Sequence, residues 1–219
     1  MLYKPFWKKA GIPETSKLFE VCKDDLKGDE KYMQMVEKIF SWDFKNPASL
    51  TILSKANGCG KTMIAVCLLK KYIYELSKPL KEYCEGLVID EMNYEQKEKI
   101  EKLERPLNKI KFEKSHNIEL EILASFKKES KITEKDIIKK YCDLDFLVID
   151  DIFGARENEF ARHVMLILID ERCDWFCKPT VITSNKILDD IDDIDSRIAS
   201  RIDNNYLFQI SENAKDRRK

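Results

Sequence analysis

The chain has 219 residues, enough for one α/β domain with a well-buried core and too few for two full ones. Its 39 basic and 40 acidic side chains nearly cancel, so no global positive field marks a nucleic-acid binder, and any DNA contact must come from a local patch or from several subunits together. No run approaches the roughly 18 apolar residues of a membrane span, no signal-like stretch follows Met1, and the seven cysteines form no Cys-x-x-Cys pair, so a cytoplasmic protein with reduced thiols is expected.

Residues 1–45 read as a short lead-in segment and 46–219 as the core. The apolar run from Leu50 to Ser54 predicts a strand that enters Lys55-Ala-Asn-Gly-Cys-Gly-Lys-Thr62. Glycines in such a loop let successive N–H groups turn inward around an anion, and the helix that follows adds the positive end of its dipole. Asn57, Gly58, Cys59, Gly60, Lys61 and Thr62 are therefore candidate nucleotide-binding residues, with Lys61 reaching the β- and γ-phosphates and the Thr62 hydroxyl holding Mg²⁺. The usual pattern opens with glycine where this loop has Lys55, which reads as strain or a loosened phosphate contact. For the loop alone, an ordinary glycine-containing strand-to-helix turn is the competing reading. Beyond it, Ala65, Leu68, Leu69, Tyr72, Ile73 and Leu76 follow the three-and-four spacing of a helix packed on a sheet.

From about 77 to 117 some forty mostly polar positions intervene, longer than an ordinary connection, and read as an insertion. Inside it Glu95 and Lys99, Glu98 and Lys102, and Glu101 and Arg105 are i,i+4 pairs before Pro106, which predicts an exposed helix, either a solvated face or one turned to a partner or DNA. Ile118-Glu-Leu-Glu-Ile-Leu-Ala124 alternates and predicts a half-exposed strand. Asp145-Phe-Leu-Val-Ile-Asp-Asp151 is an apolar strand that runs into two carboxylates, Asp150 suited to a Mg²⁺ shell and Asp151 to polarising an attacking water. Taken alone, it also fits a buried strand that merely ends in an acidic turn.

A helix is expected over about 157–177, with Phe160, Val164, Ile167 and Leu168 inward. Cys173, Cys177 and His163 offer a metal too few ligands. The strand Pro179-Thr-Val-Ile-Thr-Ser-Asn185 delivers an amide that can orient a lytic water, and the five aspartates between Asp189 and Asp195 read as a solvated cap and turn. Arg197 and Arg201 share one helix face, either to serve a neighbour's phosphate or as surface arginines paired with nearby aspartates. Tyr206 to Ile210 completes five strands. Their alternation with helices predicts a mostly parallel sheet with helices on both faces and a ligand at the strands' carboxyl ends.

In chain order, Ala10-Gly-Ile-Pro13, the Lys61-Thr62 loop, Val148-Ile-Asp-Asp151, Leu168-Ile-Asp-Glu-Arg172, Thr183-Ser-Asn185, Ser200-Arg-Ile202 and Asp216-Arg-Arg218 resemble the DnaC/IstB-like branch of the AAA+ ATPases, the helicase loaders and transposition helpers. The resemblance implies a P-loop NTPase fold of AAA+ type and slow hydrolysis of ATP with Mg²⁺. It implies Asn185 as the sensor-1 residue and Arg201, with Arg197 in support, as an arginine finger acting on ATP bound to the adjacent subunit. It further implies an ATP-dependent homo-oligomer or filament, single-stranded DNA and a replicative helicase as partners, and a role in DNA replication. A transposase in place of the helicase is the alternative within the family; a nucleotide-gated assembly module with little turnover and a small-molecule kinase are those outside it. This chain departs from the family at Lys55 and in the 77–117 insertion. With about forty-five residues before the first strand and nine after the last, neither a separate helicase-binding domain nor a C-terminal helical lid is expected, so the neighbouring subunit would help close the site.

Overall fold

Three short runs rich in Val, Ile, Leu and Thr and two mixed ones form the five strands of a single sheet: β1 (Ser49–Leu53), β2 (Ile110–Lys114), β3 (Phe146–Asp150), β4 (Thr180–Ser184) and β5 (Tyr206–Gln209). In this computed structural model, which describes residues 3–14, 16–44, 49–88, 92–127, 131–154, 158–211, 214 and 216, the sheet order is β2-β3-β4-β1-β5 and every pairing is parallel. The three central strands are buried along their whole length, as strands covered on both faces must be. The register sets Lys114 beside Asp150 and Leu53 beside Ser184, so the carboxyl ends lie along one edge.

The period of two along each strand divides the core. Leu50, Ile52, Val148 and Val181 face α4 (Lys61–Cys84) and the N-terminal helices α1 (Lys4–Lys9), α2 (Lys17–Glu20) and α3 (Glu30–Phe40). Leu53, Leu147, Ile149 and Ile182 face α6 (Ser115–Ser125), α7 (Glu134–Cys142), α8 (Glu159–Ile169) and α10 (Ser196–Asp203). The lead-in is thus packed into the same body, with Phe6, Ile12, Phe19, Val36 and Trp42 buried against α4 and the sheet. Gly11 explains part of the Ala10 to Pro13 motif: its φ is +92°, and a Cβ there would stand 2.7 Å from the Phe112 carbonyl oxygen, beside the bond from Phe112 N to Ala10 O.

The sequence reading misplaces one strand. Residues 118–124 lie in the helix α6, and the sheet takes Ile110–Lys114 instead. Alternating apolar residues also recur at i,i+4, so Ile118 and Ile122 form a buried helix face with Ser115 and Glu119, while Leu120 and Leu123 face solvent. The true strand buries only Ile110 and Phe112, too short a signal to stand out.

Within the polar stretch, α4 continues past Pro79 to Cys84, held by buried Ser77 and Leu80. The expected exposed helix is α5 (Tyr94–Glu104), opened by a reciprocal Asn93–Gln96 cap and carrying the Glu98–Lys102 ion pair at 2.7 Å. It is docked as well as solvated: Ile100 and Leu103 pack on the core, and Lys99 lies over the Tyr83 ring. The expected long helix begins at Glu159, where the Asn158 side chain caps it by accepting from Ala161 N, and passes at Asp170–Trp175 into a wider π turn; residue 157 lies outside those described. The aspartate-rich stretch forms a short helix, α9 (Leu188–Ile194), and Asp195 caps α10. Residues 217 and 218 of the terminal motif also lie outside the described ones.

Candidate nucleotide-binding site

The loop after β1 turns through two left-handed glycines, Gly58 at φ 73° and Gly60 at φ 103°, and Gly60 caps α4. The strain expected at Lys55 is not found. Lys55 is not among the described residues with positive φ, and its ammonium lies 3.0 Å from Asp190 at the start of α9. Lysine is therefore compatible with the first loop position because no left-handed turn is made there. Lys61 is buried, and its ammonium donates to the Ser54 and Ala56 carbonyls at 3.0 Å each, with Cys59 Sγ at 3.6 Å.

From Thr62 a chain of hydrogen bonds crosses the strand ends. Thr62 Oγ1 donates to Asp150 Oδ1 at 2.9 Å, and the same oxygen accepts from Thr183 Oγ1 at 2.7 Å. Thr183 Oγ1 accepts in turn from the Asp151 backbone N–H at 2.9 Å, and Asn185 Nδ2 donates to Asp151 Oδ1 at 2.6 Å. Asp151 is held left-handed at φ 61°, a conformation that costs about 1–2 kcal/mol per non-glycine residue and is least unfavourable for Asp and Asn. It turns the carboxylate back toward the loop. Gly154 makes room: a Cβ there would fall 2.1 Å from Asp151 Oδ2. Burial, then the neighbouring Asp150 charge, raises the Asp151 carboxyl above its ordinary value, opposed by Lys61, Lys114 and the Asn185 amide.

These groups line one cleft of about 860 Å³, floored by the loop from Asn57 to Met63 and walled by Asp150, Asp151, Thr183 and Asn185. That size suits a nucleotide, given the roughly 300–1,000 Å³ of small-molecule sites. The remaining wall escapes sequence reasoning. Lys114 closes one side, and the signal for it was hidden by the misplaced strand. Leu18 and Val21 of the lead-in add apolar surface to the same cleft, with Glu20 and Asp25 also lining it. Thr183 was legible only as a strand residue, although a hydroxyl two positions before the Asn is the available clue.

Asn57 to Thr62, Asp150, Asp151 and Asn185 thus come together as expected, and Arg201 does not join them. Its guanidinium pairs within the chain, Nε to Asp170 Oδ1 at 2.7 Å and to Asp174 Oδ2 at 3.2 Å. Arg197 pairs with Asp195 at 2.6 Å. Both arginines take the aspartate-paired arrangement that the spacing left open. The Thr62 hydroxyl and Asp150 carboxylate are hard oxygen donors side by side at the end of the loop, a set that fits Mg²⁺, which takes few protein ligands beside phosphate oxygens and water. No helix among the described residues is long and apolar enough to cross a membrane.

No protein-family model and no curated protein matches this chain. Solved structures do. The DnaC helicase loader aligns over 90% of this chain and 99% of its own at 18% identity, with a TM-score of 0.59. AMPPCP-bound DnaA from Aquifex aeolicus aligns over 90% of this chain and 52% of its own at 15% identity and a TM-score of 0.57. DnaI aligns over 98% and 93% at 13% identity and a TM-score of 0.51. The chain shares the fold of these structures, an AAA+-type five-stranded parallel sheet with helices.

Proposed function

We propose that this chain is an AAA+ ATPase of DNA replication that binds ATP with Mg²⁺, assembles with copies of itself, and so helps place a replicative helicase on single-stranded DNA. The observation that carries the reading is the chain of hydrogen bonds from Thr62 through Asp150 and Thr183 to Asp151 and Asn185, laid along the cleft that Lys61 floors. Its support in partner and process comes from the fold shared with the DnaC helicase loader and DnaI. AMPPCP, carried by the similar DnaA, is an ATP analogue.

Each side chain has a task that follows from its present partners. Lys61 rests on two neutral carbonyls, and anionic phosphate oxygens in the cleft offer its charge stronger partners. Thr62 and Asp150 would hold Mg²⁺, which supplies charge neutralisation across the phosphate oxygens. Asp151, made more basic by burial and by Asp150, accepts a hydrogen bond from the attacking water while Asn185 fixes its orientation. Leu18 and Val21 offer an apolar face to the base. Arg201 would act on ATP held by the adjacent subunit, which requires it to leave Asp170 and Asp174 on assembly. That sequestration favours a second feature of the reading: the isolated chain turns over little, and assembly switches it on.

The test uses two inactive variants. Arg201→Ala retains the loop and the acid pair, whereas Lys61→Ala retains the arginine. Each alone should lose turnover by about a hundredfold or more, and an equimolar mixture should regain part of it where good halves meet. A mixture that stays inactive although both variants are folded and associate would show that Arg201 serves only its own aspartates. Co-sedimentation with a replicative helicase in the presence of ATP should accompany activity, and association with a transposase instead would move the protein to the other branch of the resemblance.

A further inference from the structure

Lys70 lies in α4, nine residues beyond Lys61, and has no part in the phosphate chemistry. The residue is 8% exposed, yet its ammonium pairs with no carboxylate among the described residues. The nitrogen donates to three backbone carbonyls, Leu18 at 2.9 Å, Phe19 at 2.7 Å and Val21 at 2.7 Å, which use all three of its N–H groups. The same nitrogen lies 4.4 Å from the centre of the Trp7 ring. The nearby acids are engaged elsewhere: Glu20 pairs with Lys4 at 2.8 Å, and Asp25 accepts from the Cys22 backbone. Burial pushes the neighbouring Cys67 thiol up to about 12, so no thiolate pairs with the lysine.

A buried cation held by carbonyls and a ring face without a carboxylate is costly, and an apolar side chain of similar length would fill the space without that cost. What the cation adds is a fixed position for those carbonyls. They end α2, a single turn of four residues that cannot hold a helical form by itself. Two of the three belong to Leu18 and Val21, which line the same cleft as the phosphate loop. α4 therefore carries the phosphate site at its N-terminus and grips the apolar wall from its third turn.

We propose that Lys70 is a positioning residue for the nucleotide base: by clamping the end of α2 to the phosphate-loop helix, it sets Leu18 and Val21 at a fixed distance from the phosphate subsite. The proposal rests on the reading of the cleft as an ATP site, and the experiment separates the two. Mg·ATP and Mg·tripolyphosphate, which lacks base and sugar, are titrated by calorimetry into the wild type, Lys61→Ala, Lys70→Met and Leu18→Ala. Lys61→Ala should weaken both ligands. Lys70→Met and Leu18→Ala should each weaken ATP about tenfold while leaving tripolyphosphate unchanged, and the double variant should cost no more than the larger single change. Lys70→Arg, which keeps a cation on the carbonyls, should recover part of the ATP preference. Should Lys70→Met not fold, Leu18→Ala and Lys70→Arg still decide: an ATP-to-tripolyphosphate ratio equal to wild type in both overturns the proposal. Equal weakening of both ligands in Lys70→Met overturns it as well, because that is the signature of a purely structural lysine. A wild type that binds tripolyphosphate and ATP alike removes the base subsite and leaves the phosphate site standing, whereas a wild type that binds neither removes the nucleotide reading and this proposal together.

Discussion

Two buried cations occupy opposite edges of the sheet and are solvated in the same way, by carbonyl oxygens, yet they do different things. At the carboxyl edge Lys61 holds the Ser54 and Ala56 carbonyls. At the amino edge Arg172, fully buried, donates from Nε to the Thr180 hydroxyl, from Nη1 to the Tyr141, Cys142 and Leu144 carbonyls, and from Nη2 to the Pro179 carbonyl. Burial lowers the Arg172 guanidinium to about 10, still charged at neutral pH. Lys61 borders an open cleft and Arg172 borders packed backbone, where it ties the end of α7 to the starts of β3 and β4. Both residues donate to backbone carbonyls; access to space in which a ligand can replace the carbonyls distinguishes a site from a strut.

That contrast is broken most severely at the strut. Arg172→Met removes the guanidinium from four carbonyls and the Thr180 hydroxyl, of which the Pro179 carbonyl keeps the Leu147 N–H, and should cost about 3–5 kcal/mol in denaturant unfolding while the folded fraction keeps its nucleotide affinity. A loss below about 1 kcal/mol would mean that water or neighbouring groups replace the guanidinium.

At the site, polar groups serve stability and chemistry together, so smaller structural effects should come with larger functional ones. Thr183→Val removes the hydroxyl that donates to Asp150 and accepts from Asp151 N, and should lower stability by about 1–2 kcal/mol and slow turnover more than it weakens ATP binding. Equal effects on turnover and binding would place Thr183 outside the chemistry.

Asp151→Asn should have the smallest effect on stability, and the effect should be favourable. The folded-state pKa of Asp151 lies above 3.8, so between that value and the raised one the native state holds more protons than the unfolded state. Stability contributed by the protonated form is therefore lost as pH rises through the folded pKa. Asparagine tolerates the left-handed backbone, still accepts from Asn185 and carries no charge, so at neutral pH the variant should be slightly more stable than the wild type, and the gain should vanish below pH 3.8. Hydrolysis should be abolished with ATP binding retained. A stability gain that persists in acid would contradict the electrostatic account.

The site was more legible in the sequence than the scaffold around it, for a physical reason. In a parallel sheet each strand's last residues fall at one edge, and the order β3-β4-β1 sets the acid pair, the Asn and the phosphate loop on neighbouring strand ends. The misplaced second strand shows the opposite case. Alternation over 118–124 satisfies two periods, and only packing against Ile137 and Leu168 selects the helix. The apolar wall was illegible because Lys70 reaches Leu18 across 52 positions, and no local pattern encodes that contact. Arg201 met the same limit: its partners Asp170 and Asp174 lie on another element, where helix spacing does not reach.

The central claim is that Lys61 waits on exchangeable carbonyls for a phosphate, and calorimetric titration of Mg·ATP into the wild type and Lys61→Ala tests it most directly. The account predicts binding to the wild type, at least about a hundredfold weaker binding to the variant, and unfolding free energies of the two ligand-free proteins within about 1 kcal/mol of each other. Equal ATP affinity in both proteins, or a variant destabilised as strongly as Arg172→Met, would make Lys61 a second strut and contradict the account.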